Sequence, residues 1–173
     1  MENLYAENRK ILDQTVNRYF FVEDPIEVSL EKPPLKTVRI ALHPGFKERG
    51  MREQALKIEN GKAVIFISKK DSELLEKEGK VKLIGLPCIQ KSSGKTLTTV
   101  CLGEKEASAH KIHWVQDHIE AEILMPSGPS KKGFCEPACL NLKESDIVQF
   151  ERFGFCRLDK KGQENLVFCY GHQ

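Results

Sequence analysis

Val148-Gln149-Phe150-Glu151-Arg152-Phe153-Gly154-Phe155 carries the period that decides the fold. Apolar Val148 and Phe150 alternate with polar Gln149 and Glu151. A period of two sends successive side chains to opposite faces of a strand. Gln149 therefore belongs on a solvated face, with Arg152 and aromatic residues at the strand's end. The same reading extends outward on both sides. Ile147–Phe150, Gly154–Leu158, Leu166–Tyr170 and Glu120–Leu124 read as strands. So do Lys80–Leu86, Thr96–Leu102, Ala63–Ile67 and Thr37–Leu42. Ile26, Val28 and Leu30 alternate with Glu27, Ser29 and Glu31, as in a half-buried strand. Lys111-Ile112-His113-Trp114-Val115 reads as a strand whose rings pack in or near a core. Helical spacing fits only residues 4–16, where Leu4, Tyr5, Ile11, Leu12 and Val16 recur, and the short charged run 69–78.

About nine or ten short strands at roughly 8–15-residue spacing, separated by turn residues, point to barrels or sandwiches. The expected fold class is mainly β. His43–Gly50 is a loop rich in breakers, and Asn60-Gly61 is a turn. Met125–Gly133 reads as a long hairpin loop. The helix at 4–16 has no preceding cap, as in a segment cut from a longer chain.

Charged residues make up 30% of the 173-residue chain and hydrophobic ones 40%, an ordinary globular composition. A net charge of +2 neither requires nor excludes a nucleic-acid partner; that depends on whether the cations share a face. The six cysteines sit largely among apolar neighbours, as in Val100-Cys101-Leu102, and no signal peptide precedes them. They read as reduced and buried. With no apolar run long enough to span a bilayer, the expected location is the cytoplasm. The phosphate-binding GxxxxGK[ST] and GxGxxG motifs, HExxH and GxSxG are all missing. A chain without a phosphate cradle or a nucleophile–base pair reads as a binding module.

Several residues invite a functional reading. His110, His113 and His118 precede Cys135 and Cys139, but a C-x3-C spacing without a matching pair argues against zinc. Gln149 and Arg152 are of the types that read exposed base edges, with aromatics nearby to stack on bases. A polar strand face with a surface arginine is the plainer alternative. Arg18 opens the aromatic run Tyr19-Phe20-Phe21, and by itself reads as a surface arginine over a hydrophobic cluster. The mixed-charge run from Lys69 to Lys82 reads as a solvated face.

Longer blocks carry a resemblance. KIHWVQDH (111–118), GFCEPACLNLKESDIVQFERFGFCRLDK (133–160) and NRYFFVEDPIEV (17–28) resemble the C-terminal anticodon-binding barrels of glutamyl- and glutaminyl-tRNA synthetases. LHPGFKERGMR (42–52) is similar to that family's His-Pro loop, and ENLYAENRK (2–10) to its connector from the catalytic half. The compact ERGMR loop and the leader favour the archaeal glutamyl branch over a glutaminyl enzyme. The resemblance implies two six-stranded antiparallel β-barrels with a short N-terminal helical leader. Residues 1–17 would form the connector, 18–35 with 110–173 the proximal barrel, and 36–109 the distal barrel.

It also implies a tRNA partner, glutamate tRNA or else glutamine tRNA, and a catalytic domain on the same polypeptide. Arg18 falls where relatives place an arginine that reads the middle uridine. Gln149 and Arg152 fall where a QFER stretch faces the anticodon. The distal segment Asp71–Leu75 lacks the arginine that relatives carry, so the outer anticodon bases have no assigned reader; Lys80 and Lys82 are candidate phosphate contacts. The HIGH-like and KMSKS-like signatures are absent. ATP and Mg²⁺ would therefore belong to the catalytic half, with no cofactor in this segment. A protein-interaction module without an RNA role and a metal-dependent hydrolase are the competing readings.

Overall fold

A computed structural model describes residues 2–92, 98–101, 109–163 and 165–172. Parts of the expected 96–102 strand fall outside those limits. In chain order the elements are α1 (Glu2–Thr15), β1 (Asn17–Tyr19), β2 (Phe21–Glu23), β3 (Pro25–Glu31), β4 (Thr37–Ala41) and β5 (Met51–Ala55). There follow β6 (Lys62–Ser68), α2 (Lys69–Glu78), β7 (Lys80–Leu83), β8 (Cys88–Lys91), β9 (Thr98–Cys101) and β10 (Lys111–Ile112). The chain ends with β11 (Ile119–Leu124), β12 (Lys131–Cys135), β13 (Ile147–Phe150), β14 (Gly154–Lys161) and β15 (Asn165–His172).

The molecule is mainly β, with two large sheets and a hairpin. One sheet has seven strands in the order β1-β13-β14-β15-β11-β12-β2, and the other six, β10-β7-β8-β9-β3-β6. β4 and β5 pair only with each other. The seven-stranded sheet is barrel-like because one run of chain serves both its ends. β1 pairs with β13 and β2 with β12, and only Phe20 lies between them. The six-stranded sheet brings its ends together through the run 111–115. β10 pairs with β7, and Val115 bridges to Phe66 of β6 by backbone hydrogen bonds of 2.7 and 3.1 Å.

These facts alter the expected architecture. The strand counts are seven and six, because the bent 17–23 run contributes twice. The pairing is mixed: β1–β13, β10–β7, β11–β15 and β3–β9 are parallel. Parallel neighbours arise because other strands intervene in sequence between each such pair, so the partners are not joined by a tight hairpin. β3 and β10 both belong to the six-stranded sheet, β3 between β9 and β6 and β10 beside β7, so the sheet pairing does not divide the chain at 35 and 110. Lys131–Cys135, read as mostly loop, is a strand. Its lysines break the apolar alternation, and Gly133 packs so closely on β2 that a Cβ would come 2.1 Å from the Val22 carbonyl oxygen.

The run Tyr19-Phe20-Phe21-Val22 joins the two cores. Tyr19 and Phe21 pack into the seven-stranded core with Phe150, Phe168 and Leu158. Phe20 and Val22 pack into the six-stranded core with Ile65, Leu83 and Trp114. Period two thus sends alternate residues of one bent strand into different interiors. The β4–β5 hairpin lays Val38, Ile40 and Leu56 into the six-stranded core. Among the described residues no helix is long and apolar enough to cross a membrane. Cys135, Cys139, Cys156 and Cys169 are free thiols.

Candidate nucleic-acid interface

Arg18 and Gln149 are Cα partners in the parallel β1–β13 ladder. Tyr19, Val148 and Phe150 point into the core, so Arg18 and Gln149 share the outer face. Three anchors fix Arg18. Its amide donates to the Leu42 carbonyl at 2.7 Å. Its Nη2 donates to Asp13 Oδ1 at 2.8 Å, and Nη1 lies 3.7 Å from Glu151 Oε1. Asp13 belongs to α1, whose C-terminal end is caught by the 42–50 loop. Arg49 donates to the Val16 carbonyl at 2.7 Å and also to the Gln14 carbonyl, as a cation at a helix C-terminus should. Arg49 in turn lies over the Phe46 ring, 4.6 Å from its centroid.

Polar atoms around Arg18 are left without partners. Arg18 Nε, Gln149 Oε1 and His43 Nε2 are all buried and make no hydrogen bond. An unpartnered buried polar group costs about 1–3 kcal/mol; Arg52 Nη2 and His113 Nδ1 in the interior are in the same position.

Arg152 stands apart from this pair. It occupies the β13–β14 turn at φ 64° and forks onto Asp71 of α2 at 2.7 and 2.9 Å. Asp71 is buried and Arg152 half-exposed, so the pair ties the turn of one sheet to the helix of the other. The mixed-charge run is therefore not wholly a solvated face. The sequence did carry a signal at Asp71. Ser68-Lys69-Lys70-Asp71 has capping-box spacing, and Ser68 Oγ accepts the Asp71 amide at 3.1 Å. α2 ends at Gly79, whose φ of 75° is the left-handed conformation of a helix C-cap. Lys80 and Lys82 follow on β7, alternating with buried Val81 and Leu83.

A cleft of ≈250 Å³ opens between the sheets, lined by Arg152, Asp71, Lys70, Lys131, Phe153 and His113 among others. His113 is buried, and its Nε2 hydrogen-bonds the Phe21 carbonyl at 2.7 Å. Burial lowers its pKa to about 4, with Arg152 adding to the shift and Asp71 opposing it. The folded state thus binds fewer protons than the unfolded state between about pH 4 and 6.5. Stability from neutral His113 is present above the unfolded pKa and is lost as pH falls through that window. A loss of about 2–3 kcal/mol is expected from this group. Urea titrations across that range on wild type and His113→Phe check it; an unchanged pH slope in the variant would assign the loss elsewhere.

Residues 16–100 and 111–159 match two family models, each described as tRNA synthetases class I (E and Q), anti-codon binding domain. The chain belongs to this anticodon-binding family of class I tRNA synthetases. Within it, the chain is similar to glutamate–tRNA ligases of archaea. It is 39% identical to that of Pyrococcus furiosus over 99% of its own length and 31% of the relative's. It is 33% identical to the Methanocaldococcus jannaschii enzyme over 99% of its length, and 39% to the Methanococcoides burtonii enzyme over 100%. The chain spans just under a third of the length of these relatives. Asp13, His43, Asp71 and Glu151 are site residues that the sequence reading did not single out.

Proposed function

We propose that this chain is the anticodon-binding region of a glutamate–tRNA ligase that attaches glutamate to its tRNA in the cytoplasm. ATP, Mg²⁺ and the chemistry would belong to the rest of the polypeptide. The observation that carries this reading is the Arg18–Gln149 pair on one outer face, in a chain whose whole length aligns with glutamate–tRNA ligases. Anticodon bases are unpaired and can splay outward, where side chains reach their edges. Arg18 and Gln149 would read the middle base. Arg152 would act from the seam, using the part of its guanidinium that Asp71 leaves exposed. Lys80 and Lys82 would hold phosphates on the six-stranded side, which makes binding fall with salt. In this reading the seven-stranded sheet is the proximal barrel, the six-stranded sheet the distal one, and residues 1–17 the connector.

Arg18→Ala is expected to weaken binding of a glutamate-tRNA anticodon stem-loop by roughly 1–3 kcal/mol. The loss should fall mainly on RNA with the correct middle base. Fluorescence titration against correct and middle-base-changed RNAs tests this. Equal losses for both would reduce Arg18 to a phosphate contact. Comparison of glutamate and glutamine stem-loops tests the amino-acid assignment.

A further inference from the structure

Resting on the reading of Arg152 as an RNA contact, we infer that Asp71 is a specificity-determining residue. It positions the Arg152 guanidinium and cancels its charge, so that Arg152 selects a base instead of holding any phosphate. The carboxylate is well placed to do this. Asp71 is the third residue of α2, and its amide donates to Ser68 Oγ at 3.1 Å. Its side chain is 3% exposed, and both oxygens accept from Arg152: Oδ2 from Nη1 at 2.9 Å and Oδ1 from Nη2 at 2.7 Å. Two parallel bonds between planar groups fix the plane and direction of the guanidinium as well as its position. The first turn of a helix favours a negative charge, so the fork has a firm base.

Arg152 is held through its backbone too. Its φ of 64° lies in the left-handed region, which residues other than glycine seldom occupy. The turn is fastened on both sides of it. The Glu151 amide donates to the Tyr19 carbonyl at 2.9 Å, and the Phe153 amide to the Phe150 carbonyl at 3.0 Å. Phe153 lies edge-on to Phe21 and Tyr170, with centroids 5.2 and 5.7 Å away. Such a backbone persists where its surroundings over-determine it. Both ends of the Arg152 side chain are thus fixed, yet 41% of it is exposed. The fork uses two of the five guanidinium N–H donors and leaves three. Arg152 borders the ≈250 Å³ cleft between the sheets together with Phe153, Tyr170 and Lys70.

Charge decides which part of an RNA such a side chain takes. A free arginine is drawn to every phosphate, whatever the sequence. In the fork Asp71 neutralises that charge, and the general attraction to phosphate goes with it. What remains is a set of N–H donors in fixed directions. These reward a base edge only when its acceptors stand opposite them. The pairing therefore exchanges affinity for selectivity.

The test uses the full 173-residue chain, a synthetic glutamate anticodon stem-loop, and a second stem-loop whose anticodon bases are changed. Asp71→Asn keeps the size of the side chain and removes its charge. It should cut the preference for the correct loop by about tenfold, the scale of one charge-assisted hydrogen bond. Binding of the changed loop should strengthen, with a salt slope steeper by about 0.7, the value of one further phosphate contact on a single strand. In an Arg152→Ala background Asp71→Asn should alter neither quantity. Trp114 fluorescence and thermal melting report the folding of each variant. Wild-type preference retained in Asp71→Asn overturns the inference, because Asp71 then only ties the sheets together. An equal loss in the Arg152→Ala background also overturns it, since Asp71 would act by another route. If Arg152→Ala itself keeps the full preference, the reading of Arg152 fails and takes this inference with it. Nitrogen-15 NMR of the wild-type guanidinium needs no variant. Rotation at the Arg152 Nη groups should be hindered in the free protein and stay hindered in the RNA complex; fast rotation in either state overturns the proposal.

Discussion

Glu136→Ala is expected to cost about 3–5 kcal/mol of folding stability, the usual scale for stripping one partner from a buried ion pair. Glu136 is 0% exposed. Its carboxylate accepts the Phe20 amide at 2.6 Å, Arg52 Nε at 2.8 Å to both oxygens, and Gln54 Nε2 at 3.1 Å. Arg52 is itself buried and donates through Nη1 to the Ala41 carbonyl at 2.6 Å. Its guanidinium lies over Phe20, 4.8 Å from the ring centroid. Alanine at 136 would leave that charge in an apolar setting and orphan the amide at the bend between β1 and β2. The pair's own net worth is a different quantity. Replacing both partners with apolar residues, Arg52→Met with Glu136→Leu, should recover much of the loss, because it removes the stranded charge. Urea unfolding of wild type, Glu136→Ala and the double variant measures both quantities. A loss below about 1 kcal/mol for Glu136→Ala, the range of an exposed pair, would mean the charge finds water. RNA binding should fall with stability, since the clamp holds the hairpin against Tyr19 and Phe20, next to Arg18.

The network also shows where the sequence was and was not legible. β3, β6, β13 and α2 were readable because each carries a complete local period with turn residues at its ends. α2 runs over 69–78 as its charge pattern suggested. Closure was not readable. Phe20 sits inside a continuous aromatic run, and nothing local says that Tyr19 and Phe21 serve opposite ends of one sheet while Phe20 faces a second core. Parallel pairing was hidden for the same reason, since partners such as Arg18 and Gln149 lie far apart in sequence and meet only through tertiary topology. Arg18, Gln149 and Arg152 entered by family resemblance. Spacing alone left them as ordinary surface residues. Glu136 was invisible because a lone glutamate between Cys135 and Pro137 looks like loop. Its burial is decided by Arg52, which is 84 residues away. Asp71 was the recoverable miss, since its capping-box spacing from Ser68 marked it as more than one charge in a solvated run.

Trp114→Ala is expected to cost about 3–5 kcal/mol, as large aromatic deletions in cores do, and to open the six-stranded sheet at its weakest seam. Trp114 is the chain's single tryptophan and is 0% exposed. Its indole N–H donates to the Ile84 carbonyl at 3.0 Å. It lies within the 111–115 run that joins the sheet's ends: Ile112 registers with Leu83 on one side, and Val115 bridges to Phe66 on the other. That join has few backbone hydrogen bonds, so side-chain packing must hold it. Removing the indole would take away the packing and the carbonyl's partner together. Trp114→Phe separates these contributions. It keeps a ring in the core and strands only the Ile84 oxygen, so about 1–3 kcal/mol is expected. Hydrogen exchange locates the damage. In Trp114→Ala, amides of Phe66, Lys82 and Ile84 should lose protection before those of β14 and β15, because the seven-stranded core is built from other residues. Simultaneous loss in both sheets would show that the alternating Tyr19–Val22 run couples the two cores into one cooperative unit, and that the 111–115 join is not where the molecule opens.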